Sequence, residues 1–304
     1  MTAISELTDI RISDPGRIRR LFAERRRPGL PADGRLMIIA CDHPARGALA
    51  ALGRSQAMAD RKELLTRLVA ALDRPGVDGV LATADIIEDL LLLGALQDKI
   101  IFGSMNRGGL AGAAFEADDR MTGYDVRGVT DAGLDGGKML LRIALEDPGT
   151  VHTLQSCADT VSELARAGRI AMLEPFLSHR RDGRLINDLS PEAVITSVAV
   201  AQGIGATSAY TWLKLPVTDR MPEIAAATTL PTLLLGGDPV DDAETTYASW
   251  EAALALPPVR GLTVGRSLLY PRDDDVTAAV DTAAQLVHPQ LAAAGTGSAV
   301  EVSA

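Results

Sequence analysis

Lysine is scarce in this chain. Four of its 30 basic residues are lysine, Lys62, Lys99, Lys138 and Lys214, and the rest are arginine. A guanidinium is not deprotonated under ordinary protein conditions, so amine chemistry is confined to four positions. Cysteine occurs twice, as Cys41 and Cys157, too few for a disulfide framework, and a reducing, cytoplasmic setting is expected. Histidine occurs four times, as His43, His152, His179 and His288, with neither HxH nor HExxH spacing. A zinc site is therefore not expected, and no cofactor is assigned. Basic residues fall short of the 40 acidic ones, for a formal net charge of -10, which argues against nucleic-acid binding by bulk charge. The longest apolar run, Leu90 to Leu96, is about half a bilayer span, and no leader-like N-terminal pattern appears, so no membrane partner is expected.

What is present is an ordinary globular balance: 304 residues, 47% hydrophobic and 23% charged. Short apolar runs alternate with helical patterns. Strands are predicted over Leu36–Ala40, Gly79–Thr83, Lys99–Ser104, Gly137–Ile143, Ile170–Phe176, Ala209–Leu215, Thr232–Leu235 and Gly261–Val264. Helices are predicted over Ser55–Leu72, Ile86–Leu93, Thr153–Ala167, Pro191–Gln202, Met221–Thr228, Ala243–Leu256 and Asp274–Val287. A basic helix, Pro15–Arg27, precedes them and is expected to close one end of the domain. Its Arg19, Arg20, Arg25, Arg26 and Arg27 read as a solvated face. Eight βα units at intervals of roughly 30 residues fit an α/β fold, a closed (β/α)8 TIM barrel with an extra N-terminal helix. An open doubly wound sheet is the alternative. Its glycine-rich nucleotide loop is missing, since the first strand runs into Cys-Asp-His-Pro-Ala-Arg-Gly. No linker divides the chain, so one domain is expected over 1–304, with a core at about 35–288 and a fraying Ala/Gly/Ser-rich tail at 291–304.

Barrel enzymes draw their reactive groups from the C-terminal ends of the strands. Here those ends carry Asp42 and His43, Asp85, Asn106 and Arg107, Lys138, Glu174 and Lys214. Period-2 alternation in Tyr210-Thr211-Trp212-Leu213-Lys214-Leu215 turns Tyr210, Trp212 and Lys214 to one face and the leucines to the helix layer. A desolvated amine beside a second cation is suited to imine formation with a ketone. Lys138 is a candidate for that second cation, or else a salt-bridge partner of Asp135 or Glu174. Glu174 is placed to move protons at the imine. Asp42 would orient a hydroxyl or assist carbon–carbon cleavage. His43 reads equally as site rim or loop structure, Asp85 as a helix N-cap, and Arg107 as an anion clamp or a loop brace. The last two strands end in Gly236-Gly237 and Gly265-Arg266-Ser267, a pattern suited to a phosphate held by backbone N–H groups, a guanidinium and a hydroxyl.

With these residues in place, the chain resembles the class I, Schiff-base aldolases of the DeoC/LacD superfamily, including the DhnA-type fructose-bisphosphate and the tagatose-bisphosphate aldolases. The likeness runs from Leu36 to about Val287. It is carried by Trp-Leu-Lys-Leu-Pro around Lys214, the Gly-Gly and Gly-Arg-Ser turns, Asp42, and Asp-Gly-Gly-Lys at Lys138. It implies that Lys214 forms the imine, Glu174 moves protons beside it, Lys138 and Asp42 line the pocket, and Gly237, Gly265 and Arg266 bind phosphate. It also implies a homo-oligomer. The chain is most similar to an actinobacterial branch labelled deoxyribose-phosphate aldolase, some of whose genes accompany inositol catabolism. That implies 2-deoxy-5-keto-D-gluconate 6-phosphate as substrate, cleaved to dihydroxyacetone phosphate and malonate semialdehyde. Asp-His-Pro-Ala-Arg-Gly departs from the loops of the fructose-bisphosphate members.

The expected reaction is attack of neutral Lys214 on the ketone of a phosphorylated ketose or keto-sugar acid, loss of water, and cleavage with Glu174 or Asp42 taking the hydroxyl proton. Alternatives are an aldolase for fructose or tagatose bisphosphate, deoxyribose phosphate or a sulfosugar phosphate, a transaldolase-like synthase, a phosphosugar isomerase without an imine, and a non-enzymatic sensory or scaffold barrel.

Overall fold

The computed structural model describes residues 2–236 and 243–291. Its strands are β1 (Leu36–Cys41), β2 (Gly79–Ala82), β3 (Ile100–Ser104), β4 (Gly136–Ile143), β5 (Ile170–Arg181), β6 (Arg184–Asn187), β7 (Thr211–Leu215), β8 (Thr232–Leu235) and β9 (Val259–Val264). All but β6 are parallel and run β4-β3-β2-β1-β9-β8-β7-β5, with β4 pairing β5 to close the ring. The result is the expected (β/α)8 barrel. Helices α1 (Leu7–Ser13) and α2 (Gly16–Glu24) precede it. Around it lie α3 (Arg61–Leu72), α4 (Ala84–Leu92), α5 (Val126–Asp131), α6 (Gly149–Arg166), α7 (Pro191–Gln202), α8 (Met221–Ala226), α9 (Ala243–Leu254), α10 (Arg266–Leu269) and α11 (Val276–Val287).

Alternation along the strands divides the core in two. Leu36 and Ile38 of β1, Phe102 of β3, Met172 of β5 and Leu233 of β8 form the interior cluster, with Trp212 packed against it. Met37, Ile39, Leu173, Leu213 and Leu215 point outward and join the larger core beneath the helices. Lys214 therefore shares the interior parity of Trp212, as the sequence alternation predicts. Gly261 is required where β9 meets β1. Its φ is 139°, and a Cβ there would lie 1.9 Å from the Leu36 carbonyl oxygen.

Several expectations need correction. The long helix predicted from Ser55 begins at Arg61, because the Asp60 carboxylate caps it by accepting from the Glu63 N–H at 2.9 Å, worth about 1 kcal/mol. Asp85 is not the cap of α4. Thr83 holds that position, and Asp85 lies in the first turn, paired with Arg61 at 2.9 Å. The predicted Pro15–Arg27 helix stops at Glu24, and Arg25 is buried rather than solvated. Its guanidinium donates to the carbonyls of Lys99 (2.5 Å) and Gly133 (3.2 Å), plugging the N-terminal end of the barrel. Strand β5 continues to Arg181 and turns through Asp182 (φ 52°) and Gly183 (φ 77°) into antiparallel β6, which was not anticipated. The expected fraying segment lies outside the described residues, apart from Leu291.

Candidate active site

The barrel mouth is built from interior-facing positions one layer above the apolar core. Ser104 pairs in register with Lys138, and Leu140 with Glu174. Lys138, Glu174 and Lys214 thus project from β4, β5 and β7 toward one another. The Glu174 carboxylate bridges both lysines, its Oε1 2.9 Å from Lys214 Nζ and its Oε2 in contact with Lys138 Nζ. Lys138 Nζ also donates to Asp42 Oδ2 at 3.1 Å. That carboxylate accepts from Ser104 Oγ at 3.0 Å and lies 3.3 Å from Arg107 Nη1. Asp135, the other partner considered for Lys138, instead accepts from the Ile101 N–H below the barrel.

All five charged groups are buried; Lys138 is 2% exposed and Lys214 3%. Fully ionised, they comprise three cations against two anions. Burial pushes the Lys138 ammonium below its usual value, with Asp42 and Glu174 only partly restoring it against Arg107 and Lys214. Burial alone would raise the Glu174 carboxyl, but Lys138 and Lys214 outweigh it and lower it to about 2. Asp42 is likewise held well below the usual carboxylate range: Arg107 and Lys138 overcome its burial. Both carboxylates are therefore ionised throughout the neutral range.

A cavity of about 950 Å³ opens above this cluster, ample for a phosphorylated sugar. Asp42, His43, Arg107, Lys138, Glu174 and Lys214 line it, together with Gly236, Gly265 and Arg266. Gly265 is pressed against β1: a Cβ there would lie 2.2 Å from the Ala40 carbonyl oxygen. It introduces α10, so Arg266 and Ser267 occupy the first turn of a short helix over the barrel mouth. Arg266 Nη1 reaches the Ala50 carbonyl at 3.5 Å. Ser267 is not a lining residue. It sits behind Gly236, whose Cβ would approach Ser267 Oγ to 2.9 Å. Gly237 lies outside the described residues.

The sequence places Asn106 at a strand end, but its part in the fold, like that of the residues after it, had no local signal. Asn106 acts as an artificial strand rung, accepting from the Leu140 N–H at 2.8 Å and donating to the Leu140 carbonyl at 2.5 Å. It continues β3–β4 pairing past Ser104 and fixes the strand that carries Lys138. Above it, Arg46 pairs with Asp119 at 2.6 Å and Arg142 with Glu116 at 2.5 Å, all buried. These pairs tie the irregular 107–123 stretch over one side of the mouth. Thr218 and Thr263 each present a buried hydroxyl lacking a protein hydrogen-bond partner and line the same cavity. Among the described residues no three His, Cys, Asp or Glu side chains gather as a metal-holding group. Nor is any helix among them long and apolar enough to cross a membrane.

Fold and site together define a (β/α)8-barrel protein with a buried lysine pair bridged by one glutamate at the barrel mouth. The chain belongs to the Cgl0159-like family, whose model matches residues 34–284. It is 56% identical to Cgl0159 from Corynebacterium glutamicum, covering 94% of this chain and 97% of that one at a TM-score of 0.92. An archaeal fructose 1,6-bisphosphate aldolase shares 17% identity over 89% of this chain and 98% of its own, with a TM-score of 0.61. An archaeal fructose-1,6-bisphosphate aldolase with its catalytic Lys covalently bound to the carbinolamine intermediate shares 16% identity over 89% and 99%, with a TM-score of 0.62. At these identities the likeness to the aldolases is one of fold. No curated protein matches the chain.

Proposed function

We propose that this protein is a class I aldolase, a carbon–carbon lyase that cleaves a phosphorylated ketose through an imine on Lys214 without recruiting a metal. The observation that carries the proposal is the Lys214–Glu174–Lys138 bridge, buried under a cavity of sugar-phosphate size. A buried lysine is costly unless paired, and two on one glutamate leave the cluster a net positive charge when fully ionised. Releasing one proton from the lysine pair brings the five groups to neutrality. Imine formation needs that release, because only an uncharged amine attacks a ketone.

In this mechanism Lys214 Nζ attacks the substrate carbonyl carbon, and Glu174 relays the proton that lets water leave. The resulting protonated imine is the electron sink. Cleavage sends the electron pair of the carbon–carbon bond into it, giving an enamine and an aldehyde. Protonation at carbon and hydrolysis restore the amine. Lys138 and Asp42 hold the sugar hydroxyls, with Arg107 bracing Asp42. The phosphate binds at Gly236, Gly265 and Arg266, beside the start of α10. Anchoring it fixes the carbonyl against Lys214.

The likeness in fold to Schiff-base aldolases supports this reading, as do the DeoC/LacD-type residues. The test is borohydride reduction in the presence of dihydroxyacetone phosphate and a panel of phosphorylated ketoses. The panel includes fructose and tagatose bisphosphates and 2-deoxy-5-keto-D-gluconate 6-phosphate, the candidate substrate of the inositol-linked branch. A permanent mass gain on the Lys214 peptide is expected. Turnover of a panel member without any trapped adduct would favour an isomerase instead.

A further inference from the structure

We propose that His43 is the base that takes the proton from the substrate hydroxyl as the carbon–carbon bond breaks, and that the substrate's own phosphate, seated at Arg266, brings it into play. This presupposes the Lys214 imine proposed above. Cleavage requires a proton acceptor facing the cavity, and three of the four carboxylate oxygens in the cluster are engaged. Glu174 places both oxygens on Lys138 and Lys214, Asp42 Oδ2 is contacted by Ser104, Lys138 and Arg107, and Asp42 Oδ1 faces the His43 ring, 3.8 Å from Nδ1. Asp219, the remaining lining carboxylate among the described residues, is on the exposed rim.

His43 is the one histidine among the described lining residues. Strict strand alternation would send it away from Asp42, but β1 has ended at Cys41. His43 adopts helical angles, φ -64° and ψ -40°, at the start of the turn Pro44–Arg46. Both Asp42 and His43 therefore reach the mouth. The ring's Nδ1 is buried and has no hydrogen-bond partner, its nearest charged neighbour being Asp42 Oδ1 at 3.8 Å. A proton on Nδ1 directed at Asp42 leaves the Nε2 lone pair for the cavity, to which 27% of the side chain is open. The groups acting on the ring are Asp42 on its own strand end, Arg266 after β9, Lys214 on β7 and Glu174 on β5. Burial dominates, and with Arg266 and Lys214 it outweighs the two carboxylates, lowering the imidazole to about 3. The ring is thus uncharged at neutral pH and able to accept a proton, but weakly basic. A phosphate dianion at Arg266 cancels one of the positive charges responsible, so the basicity rises when a phosphorylated substrate is bound.

The step balances. The hydroxyl O–H breaks, its proton goes to Nε2, and the oxygen forms the aldehyde C=O as the carbon–carbon bond breaks. That bond's electron pair enters the imine and forms the enamine. His43 then releases its proton to water and the enamine takes one from water at carbon, so no net proton, oxidant or reductant is consumed.

His43→Gln keeps a similar bulk and a polar amide but cannot act as the base, and His43→Asn is a second test of the same point. Both are assayed in the full chain against the native protein. Cleavage of fructose 1,6-bisphosphate, or of the panel member the native chain cleaves fastest, is expected to fall roughly 100-fold or more in kcat. The borohydride adduct with dihydroxyacetone phosphate and the exchange of that compound's hydrogen with D2O need the imine but not this base. They are expected to stay within roughly threefold, which also shows that the variants are folded. Inorganic phosphite added to the native chain should accelerate cleavage of the dephosphorylated ketose, and should not do so in the His43 variants. Native-like cleavage in the variants, or a parallel loss of adduct, exchange and cleavage, would overturn the role of His43. Failure of the native chain itself to form an adduct would instead overturn the imine reading.

Discussion

Replacing Glu174 by Gln removes the charge that holds two buried lysines, and its cost follows from the structure by two routes. The carboxyl lies at about 2 in the folded protein against an ordinary 4.5. At about 1.4 kcal/mol per pH unit, that difference stabilises the fold by about 3 kcal/mol. Independently, removing one partner of a buried ion pair typically costs about 3–5 kcal/mol. Because the folded value is depressed, the stabilisation is fully present above 4.5 and is lost as the pH falls through 2. Guanidinium unfolding followed by circular dichroism, for native and Glu174→Gln protein between pH 7 and pH 2.5, checks both size and sign. A gap of about 3 kcal/mol should hold at pH 7 and 5 and shrink below 4.5. A gap under about 1 kcal/mol at pH 7, or one that does not change with pH, would refute the reasoning.

Arg266→Ala should weaken use of a phosphorylated ketose by about 10-fold or more in kcat/KM, the scale of a lost charge-assisted hydrogen bond, and should not slow cleavage of the dephosphorylated analogue; steady-state kinetics on the pair decides. Asn106→Ala strands a buried N–H and a buried carbonyl on Leu140 and should cost about 2–4 kcal/mol in denaturant unfolding. Gly265→Ala drives a Cβ against the Ala40 carbonyl oxygen and should destabilise by at least about 1–3 kcal/mol, visible as a lower melting temperature.

The barrel was legible because its cues are local. Apolar runs that end in Cys41-Asp42 or carry Lys138, Glu174 and Lys214 within them mark the strands, and alternation orients Lys214 beside Trp212. What escaped depends on contacts distant in sequence. Nothing near Arg25 says that Lys99 and Gly133 offer it carbonyls, and nothing near Arg142 points to Glu116. Asn106 is placed at a strand end by the sequence, but its pairing with Leu140 emerges only once β4 is set beside it. The β5–β6 hairpin did leave a signal, Asp182-Gly183, a dipeptide favoured in tight hairpin turns. Its strands are too polar to stand out from loop, being Arg180-Arg181 on one side and Arg184 on the other. For His43, alternation failed because the strand ends two residues earlier.

The central claim is that a ketone carbon bonds to the nitrogen of Lys214. The direct measurement is peptide mass mapping after borohydride reduction with dihydroxyacetone phosphate, using native protein and Lys214→Met. The expected result is one modified lysine, Lys214, in the native chain and none in the variant, with both equally folded by circular dichroism. Modification at Lys138 instead, or full cleavage activity in Lys214→Met, would contradict it.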